Sequence, residues 1–85
     1  MYQVKWDNAA LKDLKAIDSS TATNLVKKVD TVLCKSPLRL GKALSGNFKG
    51  LYRYRFGDYR IIYEVNKLEI TVIIVKVGHR KDIYS

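Results

Sequence analysis

Over residues 2–6, Tyr2, Val4 and Trp6 alternate with Gln3 and Lys5, the period of two that predicts a short half-buried strand. Asp7 or Asn8 then offers an N-cap. Ala10, Leu11, Leu14 and Ile17 follow at helical spacing and predict a first helix. Ser19, Ser20 and Thr21 supply a second cap, and Ala22, Leu25, Val26, Val29, Val32 and Leu33 recur in steps of three and four, with Lys27, Lys28 and Asp30 off the stripe. This second helix is expected to reach about Lys35 and to stop at Ser36-Pro37, because the residue before a proline avoids the helical region. Two helices joined by a short turn, each with one apolar face, form an antiparallel hairpin. Residues 38–50 carry Gly41, Gly46 and Gly50 without any period and read as a loop.

The pattern then returns to a period of two. Residues 51–56 and 59–65 are alternating runs separated by Gly57-Asp58, a two-residue turn in which glycine supplies the positive φ of a type II′ hairpin. After a turn at residues 66–69, a third run covers residues 70–77. The predicted fold is α+β in one domain over residues 1–85: an N-terminal strand, a two-helix hairpin, then a three-stranded antiparallel meander with the helices on one face of the sheet.

Length and composition narrow the function. Eighty-five residues hold one core and one site, which excludes multi-domain enzymes. The longest uncharged apolar run, residues 70–75, is far short of the roughly 20 residues that span a bilayer. Asp7 precedes any apolar stretch that would form a signal peptide, so the expected location is the cytoplasm, with no membrane partner. One cysteine, Cys34, and one histidine, His79, make neither an internal disulfide nor a structural zinc site, and no metal or other cofactor is expected. Cys34 reads as a small apolar filler in the last turn of the second helix.

The net charge is +8, from sixteen Lys+Arg against eight Asp+Glu. Most of the excess is C-terminal: residues 1–37 have six Lys and four Asp, residues 38–85 ten Lys+Arg and four Asp+Glu, and all five arginines lie in the second part. A basic surface rich in arginine points to a polyanion, with nucleic acid ahead of a membrane.

The hairpin register concentrates that charge. A turn at Gly57-Asp58 sets Phe56 opposite Tyr59, Arg55 opposite Arg60, Tyr54 opposite Ile61 and Arg53 opposite Ile62. Tyr52, Tyr54, Phe56, Tyr59, Ile61 and Tyr63 then share the core face, joined by Ile70, Val72 and Ile74. Arg53, Arg55 and Arg60 share the other. Like charges directly opposite cost about 0.2–1 kcal/mol, so the cluster is expected to hold an anion. Most of the aromatic residues become core rather than a base-stacking platform, leaving Tyr84 and Tyr2 for solvent. Strict alternation also puts Ile73, Val75 and Val77 on the face opposite the helices, as an apolar strip for a partner. The tail adds His79, Arg80, Lys81 and Tyr84 and is expected to fold back over the arginines. Lys49, in the loop, is a further phosphate-binding candidate. Cations around one phosphate, with groups able to move protons, are the parts of a metal-free ribonuclease.

These residues resemble the RelE toxins of the RelE/ParE superfamily. The resemblance covers essentially the whole chain and is carried by the element order, by Lys42-Ala43-Leu44-Ser45-Gly46, by the hairpin from Leu51 through Tyr63, and by the tail from Gly78 through Tyr84. It implies a type II toxin–antitoxin toxin that enters the ribosomal A site, contacting 16S rRNA, and cuts mRNA by attack of a 2′-hydroxyl on the adjacent phosphate. It also implies a cognate antitoxin and DNA contact only through that antitoxin. Carried over by position, Arg60 and Arg80 stabilise the transition state and Tyr84 orients the nucleotide or moves a proton. Arg53 and Arg55 stand where the best-known members have lysines. Arginine stays protonated, so these two become phosphate clamps with Lys81 and Lys49. The base is then His79, since histidine titrates near neutrality, or Tyr84, or a ribosomal group. The alternative within the superfamily is a ParE-like toxin that inhibits DNA gyrase and cuts nothing. A plain RNA-binding module is the third reading.

Overall fold

The computed structural model describes residues 1–84. Its strands are β1 (Gln3–Trp6), β2 (Lys42–Ala43), β3 (Tyr52–Phe56), β4 (Tyr59–Asn66) and β5 (Thr71–His79). Its α-helices are α1 (Asn8–Lys15), α2 (Ser19–Thr31) and the single turn α3 (Pro37–Leu40). One five-stranded sheet has the order β1-β5-β4-β3-β2, with β1 parallel to β5 and every other pair antiparallel. This is the expected α+β architecture, with β1 docked on the far edge of the meander and one extra strand, β2, taken from the predicted loop.

The helices cover one face. Ala10, Leu25, Val29 and Leu33 from the helical side meet Ile61, Tyr63, Val72, Ile74 and Val77 from the sheet in one buried cluster. Tyr2, Val4, Trp6, Leu14, Ile17 and the hairpin aromatics pack around it, so Tyr2 belongs to the core margin rather than to solvent. The cap of α2 is Asp18, whose carboxylate accepts from Thr21 N–H at 3.0 Å, one residue before the serines the sequence offered. Thr21, through its side chain first and its backbone N–H second, holds the Asp18 carboxyl below its ordinary pKa. The second helix also tightens early: α2 ends at Thr31, and Leu33–Lys35 form a 3₁₀ turn in which Cys34 is buried. Pro37 does not only stop a helix. It begins α3, where its missing N–H costs nothing.

α3 is fixed by the sheet. Tyr63 is fully buried and its hydroxyl donates to the Pro37 carbonyl at 2.5 Å. Gly41 leaves room for that hydroxyl, since a Cβ there would overlap it. Burial, with Tyr52 and Tyr54 nearby, raises the Tyr63 pKa and keeps the hydroxyl neutral.

Candidate functional site: a cationic sheet face crossed by the tail

The β3–β4 register is the one expected from the turn: Phe56 pairs with Tyr59, Arg55 with Arg60, Tyr54 with Ile61 and Arg53 with Ile62. Gly57 has φ +58 and no non-glycine in the turn needs a positive φ, as a type II′ turn requires. Arg53, Arg55 and Arg60 therefore share the face away from the helices, with Arg55 and Arg60 side by side. The Arg60 guanidinium curls over the turn, its Nη1 donating to the carbonyls of Gly57 (3.2 Å) and Tyr59 (3.1 Å).

Strand β5 departs from the expected phase. Tyr63 pairs with Ile74 but Ile62 pairs with Lys76, so Val75 is the extra residue of a β-bulge. Each residue beyond the bulge changes face. Val77 pairs with Ile61 and is buried in the helix-side core, so it is no part of an outward apolar strip, and Ile73 and Val75 are only half-buried. Ile70 is likewise not core: it sits in the β4–β5 turn, 46% exposed, at φ +51. Lys76 instead joins Ile62 on the arginine face. The Val77 N–H is taken up from outside the sheet, donating to Asp13 Oδ2 of α1 at 2.9 Å.

The same change of phase separates His79 from the arginines. It pairs with Tyr59 and its ring meets the Tyr59 ring edge-on on the helix side, centroids 5.7 Å apart. Its Nδ1 accepts from Lys81 N–H at 3.3 Å and its carbonyl accepts from Asp82 and Ile83 N–H, so the ring is part of the turn that starts the tail. The structure brings His79 to Tyr59, Asp13 and Asp82 in a shallow groove beside α1, not to Arg60.

The tail itself does cross the arginine face. Gly78 pairs with Arg60, and Ile83 packs on it so closely that a Cβ at Gly78 would lie 3.0 Å from Ile83 Cδ1. Ile62 and Ile83 are each 1% exposed although neither belongs to the helix-side core, so this face has an apolar centre of its own. Tyr84 reaches the Gly46–Phe48 3₁₀ turn and stacks edge-on against Phe48 at 5.3 Å, staying 45% exposed. Arg80 is tied to the hairpin turn by its N–H, which donates to the Asp58 carbonyl at 2.7 Å. Its Nε also lies 3.8 Å from Asp58 Oδ1, the one ion pair among the described residues. Both side chains are more than half exposed, so the pair orients Arg80 without adding much stability. Lys81 and Lys49 are exposed, the first in the tail and the second just after Phe48.

The site is thus Arg53, Arg55, Arg60, Arg80 and Tyr84 around a small apolar patch, with no acid pairing three of the four arginines. Such a face can hold a phosphate and stabilise charge that grows on it. Among the described residues no three of His, Cys, Asp and Glu gather where they could hold one metal ion. The sequence reading missed Phe48, Lys42 and Lys76. Phe48 was legible only as a lone aromatic in a glycine-rich loop, and the two lysines depended on a short strand and a bulge.

Comparison with known proteins places these features in a family. Residues 4–84 match the family model described as the ParE toxin of the type II toxin–antitoxin system parDE. Toxin RelG of Mycobacterium tuberculosis is 34% identical over 83 residues, covering 98% of this chain and 95% of that protein. Toxin RelE of the same organism is 32% identical over 83 residues, covering 98% and 86%. A chain in the solved toxin–antitoxin complex RelBE2 of M. tuberculosis superposes with a TM-score of 0.88 at 32% identity, covering 93% of this chain and 98% of that one.

Proposed function

The chain belongs to the RelE/ParE family of type II toxin–antitoxin toxins, with a RelE-type chain, and from that premise we propose that it is a metal-independent endoribonuclease that cuts mRNA in the ribosomal A site. The observation that carries this reading is the unneutralised arginine face with Arg60 at its turn and Tyr84 beside it. A gyrase-binding toxin of the same fold needs no phosphate site.

In the reaction a 2′-hydroxyl oxygen attacks the neighbouring phosphorus. The new O2′–P bond forms as the P–O5′ bond breaks, leaving a 2′,3′-cyclic phosphate and a 5′-hydroxyl. The five-coordinate phosphorus carries more negative charge than the starting diester, so fixed cations favour it over the ground state. Arg60 and Arg80 take that role, and Arg53 and Arg55 grip the phosphate as clamps. The 2′-hydroxyl must lose a proton and the 5′-oxygen gain one. Arginine does neither at neutral pH. Tyr84 is the side chain on this face able to take part, by holding the nucleotide and passing a proton, with ribosomal groups completing the exchange. His79, turned to Tyr59, has a structural part in holding the tail.

Two partners follow. One is the ribosome with its mRNA, which supplies substrate alignment that so small a domain lacks. The other is a cognate antitoxin, supported by the RelBE2 complex in which the similar toxin chain is found. Among the described residues no helix is long and apolar enough to cross a membrane. Action on ribosomes sets the place of action in the cytoplasm. Primer extension on a translated mRNA tests the reading. Ribosome-dependent 5′ ends that vanish in Arg60→Ala support it; gyrase-linked DNA breaks with intact mRNA favour the ParE-like alternative instead, the reading to which the family model's description points.

A further inference from the structure

The arginines around the hairpin turn form one cross-strand row, Arg55, Arg60 and Gly78. Two residues along the strands, about 7 Å away, lies a second row: Lys42, Arg53, Ile62 and Lys76, one residue from each of β2, β3, β4 and β5. Direct partners in antiparallel strands share a face, so both lysines project on the arginine side. Each owes its position to a feature without a periodic signal. Lys42 is there because residues 42–43 pair with β3, and Lys76 because the Val75 bulge reverses the phase of β5. No acidic side chain pairs with either among the described residues. Glu64 and Asn66 occupy this face only further from the turn.

The two lysines stand at opposite ends of their row, three strand spacings or roughly 14 Å apart. The centre of the row is closed between them, since Ile62 is only 1% exposed, so with extended side chains one phosphate does not touch both. A mononucleotide or inorganic phosphate would leave at least one unused, whereas a polynucleotide backbone running across the strands presents successive charges to the whole row. We propose that Lys42 and Lys76 are binding residues for the phosphates flanking the reacting one, so that the RNA strand crosses the sheet perpendicular to β3 and β4. Arg53 lies between them and links this track to the arginine row. The inference rests on the ribonuclease reading for the identity of the polyanion, but the track itself requires only a single-stranded nucleic acid.

Each lysine–phosphate contact releases a counterion, so each sets about 0.7 of the slope of log K against log salt for a single strand. The test is a salt titration of full-length protein binding an uncleavable, fully 2′-deoxy decanucleotide, with a dinucleotide, which has a single phosphodiester and no flanking phosphate, as the short probe. Lys42→Gln and Lys76→Gln are each expected to make the decanucleotide slope shallower by about 0.7 and to leave dinucleotide binding within twofold. Lys67→Gln, in the distant β4–β5 turn, is expected to leave both unchanged. Thermal melting checks that the variants are folded. A wild-type slope in either Lys42→Gln or Lys76→Gln, or equal losses on the dinucleotide, would overturn the track. Lysine-dependent slopes in a protein that cuts no ribosome-bound mRNA would uphold it while removing the ribonuclease reading.

Discussion

Tyr63 shows how one side chain joins the two halves of the molecule. Its ring fills the core and its hydroxyl, neutral because it is buried, satisfies the Pro37 carbonyl beside Gly41. Tyr63→Phe is expected to destabilise the fold by about 1–3 kcal/mol by leaving that carbonyl unpaired, measurable by urea unfolding. Because burial raises the folded pKa above its ordinary 10.0, the stabilising neutral form is complete below about pH 10. Its contribution is lost as the pH climbs towards the folded value, so the wild type is expected to lose stability above pH 10 more steeply than Tyr63→Phe. The proton-moving residue is a second matter of single side chains. With His79 on the helix side and Tyr84 on the arginine side, His79→Phe, which keeps a ring against Tyr59, is expected to change the cleavage rate less than about threefold. Tyr84→Phe keeps the contact with Phe48 and loses the hydroxyl, and is expected to slow cleavage by about 10²-fold or more. A pre-steady-state comparison on ribosome-bound mRNA checks both.

At the scale of elements, the decisive object is the bulge in β5. The alternation of β3 and β4 is marked by charged residues at 53, 55 and 60, so their register and the arginine face were legible from residues 52–63. β5 contains Val72, Ile73, Ile74 and Val75 in succession, and a run that is apolar on both faces carries no phase to read. The phase is set by tertiary contacts instead, including the bond from Val77 N–H to Asp13 of α1. That explains why alternation alone puts Val77 on the outer face and the tail's His79 over the arginines, where the structure has neither. β2 escaped for a related reason: two residues have no period, and their pairing with β3 is seen only in three dimensions. Asp13→Ala removes the acceptor at the bulge and is expected to cost about 1–3 kcal/mol, whereas Asp13→Asn keeps a side-chain oxygen there and costs less. Denaturant midpoints of the two variants against wild type check the order.

For the whole molecule, the charge of +8 is distributed by the sheet. One face is covered by helices and the other gathers cations from the four strands β2, β3, β4 and β5 under a tail that crosses it. Acids that would neutralise this face are nearly absent from it, so the free protein carries self-repulsion that an anionic partner relieves. Co-expression with the antitoxin is expected to restore growth and soluble yield to cells in which the isolated chain arrests growth; unimpeded growth at high expression without a partner would count against a toxin. The most direct test of the central claim is the single-turnover rate of mRNA cleavage on programmed ribosomes, with end-group analysis of the product. A 2′,3′-cyclic phosphate end is expected, with the rate lowered by about 10²–10³-fold in Arg60→Ala. A 3′-hydroxyl end, or full activity in Arg60→Ala, would contradict it.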